Sequence, residues 1–109
     1  VIGINQLSLE VPNEFSLHQN YPNPFNPVTK IRFEAPATGR NNYVKITVYD
    51  ITGKELTVLA DDSFEPGIYE AEWNASAYSS GVYFARMTAS NTGTSGSSFS
   101  VVKKMLLIK

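Results

Sequence analysis

The stretch Gly67-Ile68-Tyr69-Glu70-Ala71-Glu72-Trp73 alternates apolar side chains with acids. Successive side chains of a strand point to opposite faces, so Tyr69, Ala71 and Trp73 share one face while Glu70 and Glu72 share the other. Trp73, the single tryptophan, is the strongest core anchor the chain offers. The same period recurs outward from this stretch. Leu7, Leu9 and Val11 fall on one side of Gln6 to Val11. Ile31, Phe33 and Ala35 oppose Lys30, Arg32 and Glu34, and Val44, Ile46 and Val48 oppose Lys45, Thr47 and Tyr49. Lys54 to Leu59, Gly81 to Ala89 and Phe99 to Lys109 complete the set. Between them stand turn signals: Asp50-Ile51-Thr52-Gly53, Asp61-Asp62-Ser63, Glu65-Pro66-Gly67, Asn74 to Ser80, and the Gly, Ser, Thr and Asn run Asn91 to Ser98, read as a mobile hairpin tip. No long segment carries a helical stripe. The pattern predicts an all-β chain, an immunoglobulin-like two-sheet antiparallel β-sandwich of about seven strands.

One irregular stretch differs in kind. Asn20-Tyr21-Pro22-Asn23-Pro24-Phe25-Asn26-Pro27 has three prolines that fix φ and three asparagines able to bond back to the backbone. Proline nitrogens cannot join a ladder, so this is a stiff strap over the sandwich, with Tyr21 and Phe25 expected to tack it down.

The 109 residues fit one domain with its own core. A formal charge of -1 gives no footprint for nucleic acid or an anionic membrane. Cysteine is absent, so disulfides, thiolate metal sites and cysteine nucleophiles are excluded. The first residue is Val1 rather than methionine, and the chain is read as a piece of a longer or processed polypeptide.

Catalytic chemistry finds little support. His18 is the single histidine, with no second histidine or cysteine to complete a zinc site, and no serine stands in a Gly-x-Ser-x-Gly elbow. Asp61, Asp62 and Glu65 lack the spacing of a calcium loop. Six tyrosines, six phenylalanines and one tryptophan offer enough rings for a sugar-stacking face, but Trp73, Tyr69, Phe33 and Phe84 all occupy positions suited to the core. No enzyme, metal, cofactor, nucleic-acid or small-molecule site is expected.

The end of the chain is unusual. Lys103-Lys104-Met105-Leu106-Leu107-Ile108-Lys109 is strand-like and apolar on both faces of the pleat between flanking lysines. Either both faces are covered or one awaits a partner.

Taken in order, Asn20 to Pro27 with Lys30 to Phe33, Val48-Tyr49-Asp50-Ile51-Thr52-Gly53-Lys54-Glu55, Pro66-Gly67-Ile68-Tyr69, Ser80-Gly81-Val82-Tyr83-Phe84 and Lys103 to Lys109 resemble the type A C-terminal sorting domain of the type IX secretion system. The flagellar hook-capping protein contains similar sandwiches. The resemblance covers Phe15 to Lys109. Its motif positions here are Asn20, Pro22, Pro24, Phe25, Pro27, Pro66, Gly67, Tyr69, Ser80, Gly81, Val82 and Tyr83.

The resemblance implies a sorting domain over 15–109, preceded at 1–14 by a linker and cleavage region able to add a strand. It implies a secretion signal that takes a covalently fused upstream cargo through the outer-membrane translocon with its shuttle proteins. The domain would pass the periplasm, reach the cell surface or the exterior, and be removed by a sortase-like protease. Cleavage is expected within Val1 to Asn13, with Gly3, Ile4 and Asn5 as the candidate region. Translocon recognition is expected at Lys103, Lys104, Met105, Leu106, Leu107, Ile108 and Lys109, through apolar area, lysines and an extended edge. The competing reading is an adhesive or carbohydrate-binding sandwich at the end of a surface protein; a structural assembly module is a third.

Overall fold

A computed structural model describes residues 4–8, 10–37, 41–92 and 98–109. Its eight strands are β1 (Ile4–Ser8), β2 (Ser16–Leu17), β3 (Val28–Ala35), β4 (Asn41–Asp50), β5 (Glu55–Phe64), β6 (Gly67–Asn74), β7 (Gly81–Thr92) and β8 (Ser98–Leu107). They form two antiparallel sheets in the orders β1-β6-β3-β2 and β5-β4-β7-β8. The chain crosses between sheets after β3, β5 and β6, so β3 lies beside β6 and β4 beside β7. This is the Greek-key weave of an immunoglobulin-like sandwich. The strand beyond the expected seven is the two-residue β2, paired through Ser16 with Glu34 and Leu17 with Phe33.

Alternation sets the core. Ile31, Phe33 and Ala35 of β3, Val44, Ile46 and Val48 of β4, Tyr69, Ala71 and Trp73 of β6, and Ala85, Met87 and Ala89 of β7 are all buried between the sheets. Trp73 sits at one pole, its ring centroid 5.5 Å from Phe25, 5.4 Å from Tyr83 and 5.8 Å from Tyr78. Phe33, Phe64 and Tyr69 form a second aromatic group, with centroids 4.9 to 5.5 Å apart. Offset and edge-on ring pairs of this kind add to the area they bury.

Several elements depart from the sequence reading. Asp61-Asp62-Ser63 is not a connection: it continues β5, opposite Lys45, Val44 and Tyr43. Both register shifts in the β4–β5 ladder lie nearer the Gly53 turn, and from the Ile46–Ala60 pair onward the register is unbroken through Phe64. Acids suit this place, because charge on an edge strand discourages pairing with another chain. Adjacent residues of a strand also face opposite ways, so Asp61 and Asp62 do not converge on a cation. In β1 the alternation does not become burial. Ile4 and Gln6 are the residues set opposite the inward-facing Ala71 and Tyr69, and a register shift between Gln6 and Ser8 passes over Leu7, so Leu7 is exposed, as are Asn5, Gln6 and Val11. Phe84 faces outward, half-buried, on β7. Leu9, Gly3 and residues 93–97 of the expected hairpin tip lie outside the described residues.

Candidate functional site

The two faces of β8 divide the terminal run. Odd residues face inward: Met105 and Leu107 are fully buried, and Lys103 is half-buried on that side. Even residues face solvent: Val102 is 52% exposed, Leu106 36% and, just past the strand, Ile108 51%, with Lys104 exposed among them. Met105 and Leu107 are therefore core residues, and the outward set is Lys104, Leu106 and Ile108. The buried pair is held by β7, where Tyr83 lies opposite Met105 and Gly81 opposite Leu107.

The edge of β8 is not free at this end. Gln19 Nε2 donates to Lys104 O at 2.6 Å, and Leu106 N donates to Asn23 Oδ1 at 3.0 Å. Phe25 N donates to Leu106 O at 2.9 Å, and Ile108 N donates to Phe25 O at 3.0 Å. These bonds occupy Lys104 O, both backbone groups of Leu106, and Ile108 N on the side away from β7. The edge expected to dock a partner is therefore already paired at Leu106 and in part at Lys104 and Ile108. The strap succeeds despite its prolines because Gln19 and Asn23 pair through side chains and only Phe25 pairs through its own backbone.

The strap has its own internal fastening. Asn20, buried, donates from Nδ2 to Pro22 O at 3.1 Å and to Thr29 Oγ1 at 3.0 Å, and Thr29 Oγ1 donates to Pro22 O at 2.9 Å. Pro27 O accepts from Ala75 N at 2.8 Å. Phe25 is buried against Trp73, whereas Pro22, Pro24 and Tyr21 face solvent, Tyr21 at 81% exposure. Tyr21 holds the strap through its backbone, by reciprocal bonds with Lys30 of 2.9 and 3.0 Å, and not through its ring.

Two tyrosines repeat one device. Tyr83 Oη donates to Ser79 O at 2.6 Å, and Tyr69 Oη donates to Glu65 O at 2.7 Å, each reaching back four residues across the start of its own strand. This is the bond of a tyrosine corner, fixing how the strand leaves its turn. Burial first, and then the Glu65 charge, raise the Tyr69 phenol above its ordinary value, so it stays a donor.

The motif residues separate into two poles. Ser80-Gly81-Val82-Tyr83 joins the strap and the chain end: Ser80 Oγ accepts from Lys109 N at 2.9 Å, and Lys109 Nζ donates to Ser76 O at 2.7 Å. Lys109 is thereby tied to the turn before β7. Pro66-Gly67-Ile68-Tyr69 stands at the opposite pole beside β1. A Cβ at Gly67 would lie 2.7 Å from Gln6 Nε2 and 3.2 Å from Ser8 O, at a φ of +158. The Gln6 side chain can swing aside, but Ser8 O belongs to the β1 backbone, so a larger residue at Gly67 would press β1 back by a few tenths of an ångström. Of the candidate cleavage residues, Ile4 and Asn5 are paired in β1 with Ala71 and Glu70.

The competing sugar-binding surface gains no common platform from these positions. The exposed rings Tyr21 and Tyr43 belong to different sheets, one beside β3 and the other on β4. His18 binds Glu34, with Nε2 and Oε2 2.5 Å apart, at the surface.

Sequence reading missed the contribution of Gln19 and Asn23, whose partners lie more than eighty residues away. Comparison with curated proteins and with solved structures finds no match. A family model described as "Secretion system C-terminal sorting domain" matches residues 19–104, from the strap through the outward lysine of β8. That span holds most of the sandwich just described, and this chain belongs to the type IX secretion system C-terminal sorting domain family, a family of sorting signals for export to the cell surface or beyond.

Proposed function

We propose that the outward face of β8, carried by Lys104, Leu106 and Ile108, is the surface that the outer-membrane translocon and its shuttle proteins read. One observation carries this reading. Leu106 and Ile108 stay open to solvent on a strand whose inner side chains are buried and whose edge is already bonded, so the fold does not require them to be apolar. Covering what remains exposed of the two would contribute about 1 to 3 kcal/mol before ordering costs. Lys103, Met105 and Leu107 support the face from beneath, and Lys109 anchors its end.

In this reading the domain carries a fused upstream cargo through the periplasm and across the outer membrane, and a sortase-like protease then removes it near β1. A protease binds its substrate extended and unpaired, so Ile4 and Asn5 must first leave β6. The exposure of β1 makes that step inexpensive compared with opening any core strand.

Deleting Lys103 to Lys109 would remove two core residues and confuse unfolding with loss of recognition. The cleaner experiment fuses residues 1–109 to a fluorescent reporter in a host with a type IX system and introduces Leu106→Ser with Ile108→Ser. Export is expected to fall while the Tm of the isolated domain stays within a few degrees. Export at the level of the intact fusion rejects the reading.

A further inference from the structure

We propose that the recognition surface does not end at β8 but continues across β7 to β4, and that it fits a protein surface with an apolar strip edged by carboxylates. This rests on the reading of β8 given above and extends it to residues far away in sequence. Directly opposite residues in neighbouring strands share a face. Leu106 lies opposite Val82, Lys104 opposite Phe84, and Val102 opposite Arg86. Phe84 in turn lies opposite Tyr49, and Arg86 opposite Thr47. The outward residues of β8 therefore form one edge of a continuous three-strand face, with apolar and aromatic side chains in adjoining rows.

Two cations stand in this face without an acid opposite either of them. The ion pairs among the described residues, His18–Glu34 and Lys30–Glu70, lie on the other sheet. Arg86 has Thr47 and Val102 as cross-strand neighbours, and Lys104 has Phe84. Lys45 is the third outward cation, facing Asp61 across the β4–β5 ladder. Between β4 and β7 lies a shallow groove of about 220 Å³ lined by Lys45, Tyr49 and Arg86, among others. A carboxylate entering it gains a charge-assisted bond while its stem lies along an aromatic ring. A two-fold contact whose axis passes through the Arg86 and Lys104 part of the face would set these cations near the same cations of a second copy, which disfavours self-association there.

The test places Arg86→Glu and Arg86→Lys in the reporter fusion beside the Leu106→Ser, Ile108→Ser variant. Arg86 is exposed, so both substitutions leave the Tm close to that of the intact domain. Arg86→Glu is expected to cut export at least about tenfold, and Arg86→Lys to keep it within about twofold. If Arg86→Glu is exported as well as the intact fusion while the Leu106, Ile108 variant is not, the surface is confined to β8 and the extension fails alone. If Arg86→Glu fails and the Leu106, Ile108 variant passes, the reading of β8 fails and the basic face of β7 stands. Sedimentation of the domain as a dimer that Arg86→Glu disrupts, or its pelleting with phosphatidylglycerol vesicles in an Arg86-dependent way, overturns the proposal in favour of self-association or a lipid surface.

Discussion

Asp50 gathers three donors on one oxygen: Thr52 Oγ1 at 2.6 Å, Thr52 N at 2.9 Å and Lys54 N at 3.1 Å. Gly53, at φ +86, lets the chain turn tightly enough to bring Lys54 N within reach. The Thr52 hydroxyl, then the Lys54 amide, hold the Asp50 carboxyl below its ordinary value. A folded-state pKa below the unfolded one stabilises at pH above the unfolded value, about 3.9, and is lost as pH falls through the folded value. Asp50→Asn keeps an oxygen acceptor but has no charge to protonate. Urea titrations from neutral pH downward are therefore expected to place the wild type above the variant in stability from about pH 5 upward, and to bring the two together in strong acid. A gap that does not narrow with acid contradicts the linkage. This turn was legible from Asp50 to Gly53 alone, because every bond in it spans four residues or fewer. Tyr21 was not legible in the same way: an aromatic ring suggests burial, but what fixes Tyr21 is its backbone pairing with Lys30.

The strap and β8 act together, and each explains an oddity of the other. A terminal strand with an open edge invites pairing with foreign chains. Here the strap closes that edge over Lys104 to Ile108 through Gln19, Asn23 and Phe25. The Phe25 ring is buried against Trp73 while its backbone bonds both Leu106 and Ile108. Phe25→Ala is expected to cost about 3 to 5 kcal/mol in urea unfolding, since it leaves a cavity under the strap. Asn26→Ala, one position on and exposed, is expected to stay within about 0.5 kcal/mol. Equal losses at the two positions would mean that the strap contributes through stiffness and not through the Phe25 anchor. The sequence indicated a stiff, non-ladder segment, because proline chemistry is local. It did not indicate where the strap lies, because its partners on β8 are fixed only when the sandwich closes.

Across the whole molecule, two sheets share one core, and Trp73 reports on both. Its ring belongs to β6, touches Tyr83 of β7 across the interface, and supports Phe25 of the strap. Thermal unfolding followed by tryptophan fluorescence and by far-UV circular dichroism is expected to give one midpoint. Separate midpoints would mean that a sheet or the strap melts independently of the core. The sequence alone determined seven of the eight strands, the inward side of most of them, the hairpin turn at Gly53 and the resemblance that the family match bears out. These rest on neighbours in the chain: the period of a pleat, the φ of glycine and proline, and the order of short motifs. It could not determine that β5 runs on through Asp61 and Asp62, that β1 stays exposed, that the strap seals one end of β8, or that Phe84 and Arg86 share a face with Lys104 and Leu106. Each of these depends on which strands become neighbours and which edges are left over. That choice is made by long-range pairing and by the burial of a common core, and so belongs to the tertiary structure alone.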